Sequence, residues 1–465
     1  MASLKTISFF KILFRNGRCP FLQIKRDCHS TTVQKKFYDI VIAGGGMVGT
    51  TLACKIGMLE KLSDKTVLLL EGSPEKEWIF ENRYSNRVSA INPSTKNLME
   101  SIGVWKHITE RRFKVVKKMQ VWDAISDAMI TFTSDEKFSD IAYIVENDLI
   151  LASVTKQLKH LNNVSIQYGA KVKNCVLPQS GSSEQVSVEL EDGTELKCSL
   201  LVGADGASSL VRKTMGVQYL SWNYHQMGIV ATLRLSEPTD NVVAWQRFLP
   251  SGPIALLPLN DELSSLVWST GTEEAKAILK LSDEEFVDTL NEALWKQYPS
   301  DNIVNSATKH FNSVLEFLTL TSNAVRQLQP SIVSVESKSR AAFPLGFGHS
   351  TKYVAPGVAL IGDAAHRVHP LAGQGVNLGF GDVVALTNQL VDAVSEGNCV
   401  SNINYLLRYE TLRQRHNVPT ILVIDGLQKL YGTTITPLVV LRSLGLQLIH
   451  SVPPVKRAIL NHASV

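Results

Sequence analysis

The sequence predicts an α/β protein: a Rossmann-like dinucleotide-binding domain carrying an inserted antiparallel sheet, with helices at the C-terminus. Three observations predict it. A strand, glycine turn, helix, strand and acid follow one another over Phe37–Glu71. Two later apolar runs end in Asp-Gly and Gly-Asp pairs, at Leu200–Gly206 and Val358–Asp363. Between those pairs, alternating apolar and polar residues are punctuated by Pro and Gly, the pattern of an antiparallel sheet.

The first 36 residues read as a leader. The chain has 465 residues and a formal net charge of +4. Residues 1–36 hold eight Lys/Arg (Lys5, Lys11, Arg15, Arg18, Lys25, Arg26, Lys35, Lys36) against Asp27 alone, so the remainder is about −3. Basic residues spread among Phe, Leu and Ile, with Ser and Thr at 30–32, match a mitochondrial transit peptide; a disordered basic arm is the alternative. A body that is not basic gives no reason to expect a nucleic-acid partner. The apolar charge-free stretch Ile40–Cys54 is 15 residues, short of the ~20 a spanning helix needs. Cys19, Cys28, Cys54, Cys175, Cys198 and Cys399 show neither a CxxC pair nor metal spacing, and the four outside the leader read as reduced, buried or inert thiols.

Phe37–Ala43 is an Ile/Val-rich run of the kind buried on both faces of a parallel sheet. It meets Gly44-Gly45-Gly46-Met47-Val48-Gly49, then helical spacing over Thr50–Leu62 and a second strand, Thr66–Leu70, closed by Glu71. In such a unit Gly44 permits the tight turn, Gly46 lets backbone approach a pyrophosphate, and Gly49 lets helix and strand pack closely. The phosphates lie at a helix N-terminus, where free N–H groups favour negative charge. Glu71, 22 residues past Gly49, is placed to accept from ribose hydroxyls; capping a helix is its alternative role. The unit predicts an adenine dinucleotide without saying which.

The Asp-Gly pair, Asp205-Gly206, opens a segment ending at Arg212. The Gly-Asp pair, Gly362-Asp363, continues through His366, His369, Pro370, Gly373, Gln374, Gly375 and Asn377 to helical spacing at Asp382–Val394. These three motifs, in this order, resemble the flavin-dependent aromatic hydroxylases of the p-hydroxybenzoate hydroxylase fold. The run His369-Pro-Leu-Ala-Gly-Gln-Gly-Val-Asn-Leu-Gly-Phe-Gly-Asp382 is similar to the signature of that family's mitochondrial ubiquinone-biosynthesis hydroxylase branch. The similarity runs from about Phe37 to the C-terminus and includes Ala244–Pro253.

The resemblance implies FAD as cofactor. Gly44, Gly46, Gly49 and Glu71 would hold its ADP half, Asp363 its ribityl or pyrophosphate region, and Pro370 through Asn377, with Gly373, Gln374 and Gly375, its isoalloxazine ring. Asp205, with Gly206, would lie near the cofactor's linker, and Arg87 would approach the phosphates. Arg87 and Arg212 could instead form ion pairs. His366 and His369 make an H-x-x-H without a third ligand, a weak metal signal.

The implied activity is monooxygenation, through a C4a-hydroperoxyflavin, of a polyprenylated 4-hydroxybenzoate-type phenol at the C5 position in ubiquinone biosynthesis. The implied partners are that phenol, O₂, an electron donor (ferredoxin and its reductase, or NADPH) and a ubiquinone-biosynthesis complex. The implied place is peripheral, on the matrix face of the inner membrane. A prenyl-reductase-type FAD oxidoreductase and an FAD-retaining structural subunit are the competing functions. No catalytic base is assigned.

The implied domains are residues 37–112, 150–215 and 345–400 for FAD, 113–149 and 216–344 for substrate, and 401–465 as C-terminal helices. Strands are predicted at Val186–Glu191, Gly228–Leu235 and Leu263–Thr270, with turns at Pro250–Pro253 and Pro258. A Ser282-x-x-Glu285 capping box predicts a helix over Ser282–Tyr298. Trp245 and Phe248 are expected in core rather than in a pocket. Tyr431–Leu441 and Ser443–Val455 form two apolar blocks separated by Arg442, and Pro437, Pro453 and Pro454 forbid one continuous helix. They are expected to pack on the flavin domain or to present a membrane or partner face.

Overall fold

The computed structural model describes residues 36–463 except 81, 127, 134–139, 180–183, 300 and 318–326. The leader therefore lies outside the described residues, apart from Lys36, which begins the first strand. Lys36–Val465 forms one compact unit.

The predicted first strand is the centre of an eight-stranded sheet. Lys36–Ala43 pairs in parallel with Val67–Glu71 on one side and Glu195–Gly203 on the other. Val164–Tyr168 and Val358–Leu360 extend the parallel order outward. Ile40, Val41 and Ile42 are fully buried, which is why that strand has no polar alternation. The glycine turn, the Asp-Gly pair and the Gly-Asp pair thus follow the carboxyl ends of three adjacent strands, the edge where such sheets bind ligands. The first helix is Met47–Met58, starting three residues before its predicted Thr50 because Gly46, in extended conformation, is already its N-cap. Val186–Leu190 belongs to this sheet as an antiparallel strand.

The second sheet has nine strands. Tyr219–Leu235, Leu263–Gly271, Gly252–Pro258 and Val243–Leu249 run antiparallel in succession; Lys118–Asp123 then joins in parallel. On one face Ile229, Ala231, Leu233 and Leu266 pack against Phe286 and Leu290 of the Asp283–Trp295 helix, which carries both arms of the predicted capping box. Trp245 is in that core; Phe248 is buried elsewhere, stacked on Tyr431 at 3.8 Å. Pro253 and Pro258 lie within a strand rather than in turns.

Two predicted boundaries move. Residues 113–149 divide, because Lys114–Val116 and Ala142–Glu146 form a three-stranded sheet with Val88–Ile91, while 118–133 supply two strands of the large sheet. The boundary at 345 falls inside the Ala341–Ser350 strand of the large sheet. Both follow from pairing between distant segments, which local composition does not report.

The C-terminal segment forms three helices, Ile403–Tyr431, Thr436–Ser451 and Pro453–Ala463. Pro437 sits in a first turn, where no helical N–H is lost, and the last two helices meet at 94°. No single helix among the described residues is long and apolar enough to cross a membrane. Arg442 separates nothing. It lies inside the Thr436–Ser451 helix, buried, with Nε and Nη2 on the Asp123 carboxylate at 2.9 and 3.0 Å. That helix packs on the Met129–Thr133 strand of the second sheet, not on the dinucleotide sheet.

Candidate functional site

The glycine turn is shaped by two clashes that side chains would create. A Cβ on Gly44, at φ +112°, would meet the Ala204 carbonyl oxygen at 2.4 Å, and one on Gly49 would meet the Gly44 oxygen at 2.0 Å. Nothing lies within 4 Å of a Cβ built on Gly46. Turn, strand and helix are therefore closed upon one another, while Gly46 faces open space at a helix N-terminus. Glu71 reaches back from the second strand and accepts from the Gly45 N–H at 2.9 Å through Oε2 and from the Ser73 N–H at 2.7 Å through Oε1. Each carboxylate oxygen keeps a lone pair for a further donor such as a ribose hydroxyl.

Asp205 caps the Leu210–Thr214 helix, its Oδ2 accepting from the Leu210 and Val211 N–H groups. Its Oδ1 is buried and has no hydrogen-bond partner. Gly206 beside it borders the cavity described below. Among the described residues Arg212 forms no carboxylate pair; it donates to the carbonyls of Ala364 and Ala207 and lies 3.6 Å over the Tyr219 ring. It thereby ties the Asp-Gly segment to the Gly-Asp turn.

Asp363 stands in a single turn of 3₁₀ helix, Gly362–Ala364, at the cavity wall. Its side chain touches solvent because the cavity is open, yet protein packs closely around the carboxyl. That crowding pushes its pKa up, opposed by His366 and Arg367. Behind the turn is a buried cluster the sequence did not reveal. Asp382 accepts from the Gly362 N–H at 2.9 Å, His366 Nε2 lies 2.6 Å from it, and Arg413 Nε donates to it at 2.7 Å. Burial alone would raise the Asp382 pKa, but the charges of His366 and Arg413 and these hydrogen bonds hold it at about 2. His366 is thus engaged with a carboxylate, whereas His369 is buried 5.2 Å from the Tyr224 ring with neither nitrogen bonded.

Pro370, Gly373 and Gly375 border the cavity; Gln374 and Asn377 do not. Asn377 instead cross-links three segments, accepting from the Asn92 N–H and Thr95 hydroxyl and donating to the Ala90 and Gly373 carbonyls. It positions the loop. Arg87 is exposed at the cavity rim, 5.7 Å from the Phe343 ring, and has no ion pair among the described residues.

The glycine turn, Gly206, the Gly-Asp turn and the 370–376 loop border one cavity of about 570 Å³. Gly46, Gly206, Asp363 and Gly373 border it on the side of the dinucleotide sheet. Val230, Ala255, Leu257 and Val267 border it on the side of the large sheet. Among the described residues its titratable neighbours are Arg87, Asp363 and Arg367. The residues present fit FAD: Gly46 leaves space where a side chain would block a pyrophosphate, and the unpartnered Oδ1 of Asp205 and the free Asp363 carboxylate await donors. Sequence reasoning missed Arg367, Asp382 and Arg413. The first two lie inside the quoted motifs, but only contacts reveal their work.

The family model for an FAD binding domain matches residues 38–315 and 318–420. The ubiquinone biosynthesis monooxygenase COQ6 of Danio rerio is 48% identical over 450 residues, covering 96% of this chain and 93% of that protein. The COQ6 of Drosophila melanogaster is 50% identical over 428 residues, covering 92% and 89%. In fold, the chain is similar to a probable FAD-dependent monooxygenase, pqsL, from Pseudomonas aeruginosa (TM-score 0.64, 21% identity, 88% of this chain and 99% of that one). It is likewise similar to p-nitrophenol 4-monooxygenase PnpA from Pseudomonas putida (TM-score 0.65, 16% identity, 92% and 99%). With the three flavin motifs gathered on one cavity, the chain belongs to the mitochondrial ubiquinone-biosynthesis monooxygenases, a family of FAD-dependent oxidoreductases.

Proposed function

We propose that the chain hydroxylates the aromatic ring of a polyprenylated 4-hydroxybenzoate-type phenol, at C5, during ubiquinone biosynthesis. The observation that carries this reading is the shared cavity: motif backbone forms one side and an apolar sheet face the other. Such a space holds a flat ring against a cofactor and excludes water. Bound FAD supplies the activation of O₂. The chain's own share is to hold and orient. Gly44–Gly49 and Glu71 receive the ADP half, and Asp363 receives sugar or ribityl hydroxyls. Gly373 and Gly375 bring backbone to the ring, and Arg87 and Arg367 bring positive charge to the cavity. Gln374 and Asn377 act by shaping the loop.

Electrons come from a ferredoxin and its reductase or from NADPH. The first fits a chain whose single complete dinucleotide unit is taken by FAD. A place on the matrix face of the inner membrane, peripheral and within a biosynthetic complex, follows from a tail-bearing substrate and from the relatives' mitochondrial names. Purified FAD-loaded protein given each reductant, a short-chain prenylated 4-hydroxybenzoate and ¹⁸O₂ should yield a ring product carrying one labelled oxygen. A product reduced in its prenyl chain, without label, would favour the prenyl-reductase alternative. An Asp363→Ala protein that folds and assembles but loses hydroxylation would argue against the structural-subunit alternative.

A further inference from the structure

One end of the cavity, between the small sheet and the large one, is almost wholly apolar. Val116, Ala142 and Ile144 of the small sheet face Met119, Ala244 and Leu257 of the large one. A single polar side chain joins them there, Ser265, which is 1% exposed and whose Oγ has no hydrogen-bond partner. Thr232 lies directly across from it in register on the neighbouring strand. Residues paired this way project from the same face of a sheet. Thr232 is also 1% exposed, and its Oγ1 too lacks a partner. On the same face, the next pair along, Val230 and Val267, borders the cavity.

Two adjacent hydroxyls, buried and unpartnered, disfavour the folded state unless something bonds to them. The geometry points to Ser265, backed by Thr232, as a binding point for the phenolic oxygen of the ring substrate, one that fixes which ring carbon faces the cofactor. The chemistry selects the phenol over a carboxylate. A carboxylate driven into this end would be a buried charge with no cation among its neighbours, which is far costlier than burying a neutral hydroxyl. A hydroxyl, by contrast, both donates to and accepts from Ser and Thr. Gln246 is the other uncharged polar side chain that the large sheet turns toward the cavity, Trp245 projecting into the opposite core, and it lies on the row of Ala255 rather than that of Ser265. The inference rests on the reading of an aromatic phenol as substrate, but its test needs no turnover.

The FAD-loaded protein is titrated with a short-chain 3-prenyl-4-hydroxybenzoate and with 3-prenylbenzoate, which lacks the phenolic oxygen, following the flavin absorbance. Ser265→Ala is expected to weaken the phenol about tenfold, as loss of one or two hydrogen bonds does, and Thr232→Val, which removes the hydroxyl behind it, by less. They should leave the affinity for the deoxygenated compound within about twofold, and the melting temperature unchanged or higher. Equal weakening of both compounds, or a lowered melting temperature with no change in the ratio, would show that the hydroxyls serve packing or a buried water and overturn the inference. A phenol that binds with this selectivity but is never hydroxylated would leave the subsite standing and defeat the proposed reaction instead.

Discussion

The molecule holds two buried arginine–carboxylate centres that use the same chemistry to different ends. In one, Arg413 and His366 converge on Asp382, whose carboxylate also takes the Gly362 N–H and so fixes the turn that carries Asp363. In the other, Arg442 clasps Asp123 and donates to the carbonyls of Leu430, Tyr431 and Thr433, gathering the end of one C-terminal helix and the middle of the next onto the large sheet. Both pairs are almost fully buried, so neither is worth much as an attraction in itself; each is costly to break because the remaining charge is stranded. The difference is what hangs on the carboxylate: a cofactor-facing turn in the first, a helix junction in the second.

The largest expected effect separates them. Asp382→Ala should lower stability by about 3–5 kcal/mol and also release FAD, since Gly362 loses its acceptor and Arg413 is left unpaired. Denaturant unfolding with flavin fluorescence measures both losses, and an Asp382→Ala protein that keeps flavin at wild-type affinity would break the contrast. Arg442→Ala should lower stability by a similar ~3–5 kcal/mol while the folded fraction retains flavin. Replacing the second pair whole, Asp123→Leu with Arg442→Met, is expected to restore most of that loss, to within about 1–2 kcal/mol, because no lone charge remains. The matching exchange at Asp382 and Arg413 should still lose FAD, because an apolar residue cannot accept from Gly362. Retention of flavin after both exchanges would show that the first centre too is only scaffold.

The smallest effect is one of pH. His369 and His416 are held at about 4 by burial, below their ordinary 6.5, and for His416 the nearby Arg413 pushes the same way. Histidines neutral in the fold but protonated when unfolded contribute stability that is present above about 6.5 and lost as pH falls toward 4. Melting temperature should therefore decline across that window, and His416→Phe should flatten the decline. A variant with the wild-type slope would place the pH dependence elsewhere.

The legible part of the fold was local. The unit over Phe37–Glu71 declares itself because strand, turn, helix and acid are contiguous and each glycine answers a nearby steric demand. The 369–382 signature was legible for the same reason, as was the Ser282–Glu285 cap. The Arg442 misreading shows the limit. Within its own stretch an arginine between apolar blocks looks like a break, and only Asp123, 319 residues away in sequence, explains its burial. Asn377 is similar: its motif suggested the cofactor ring, but its four bonds run to Asn92, Thr95, Ala90 and Gly373.

By itself the sequence determined the cofactor class, the family, the parallel core and the stretches that turn, since these depend on periodicity and on glycine and proline at fixed short spacings. Tertiary structure alone decided which strands share a sheet, where the 113–149 segment divides, which carboxylates are paired, and that Ser265, which borders the cavity, is paired in register with Thr232. Those outcomes depend on burial and on partners brought together across the chain. A side chain's solvation and hydrogen bonding belong to its neighbours in space, which its neighbours in sequence do not specify.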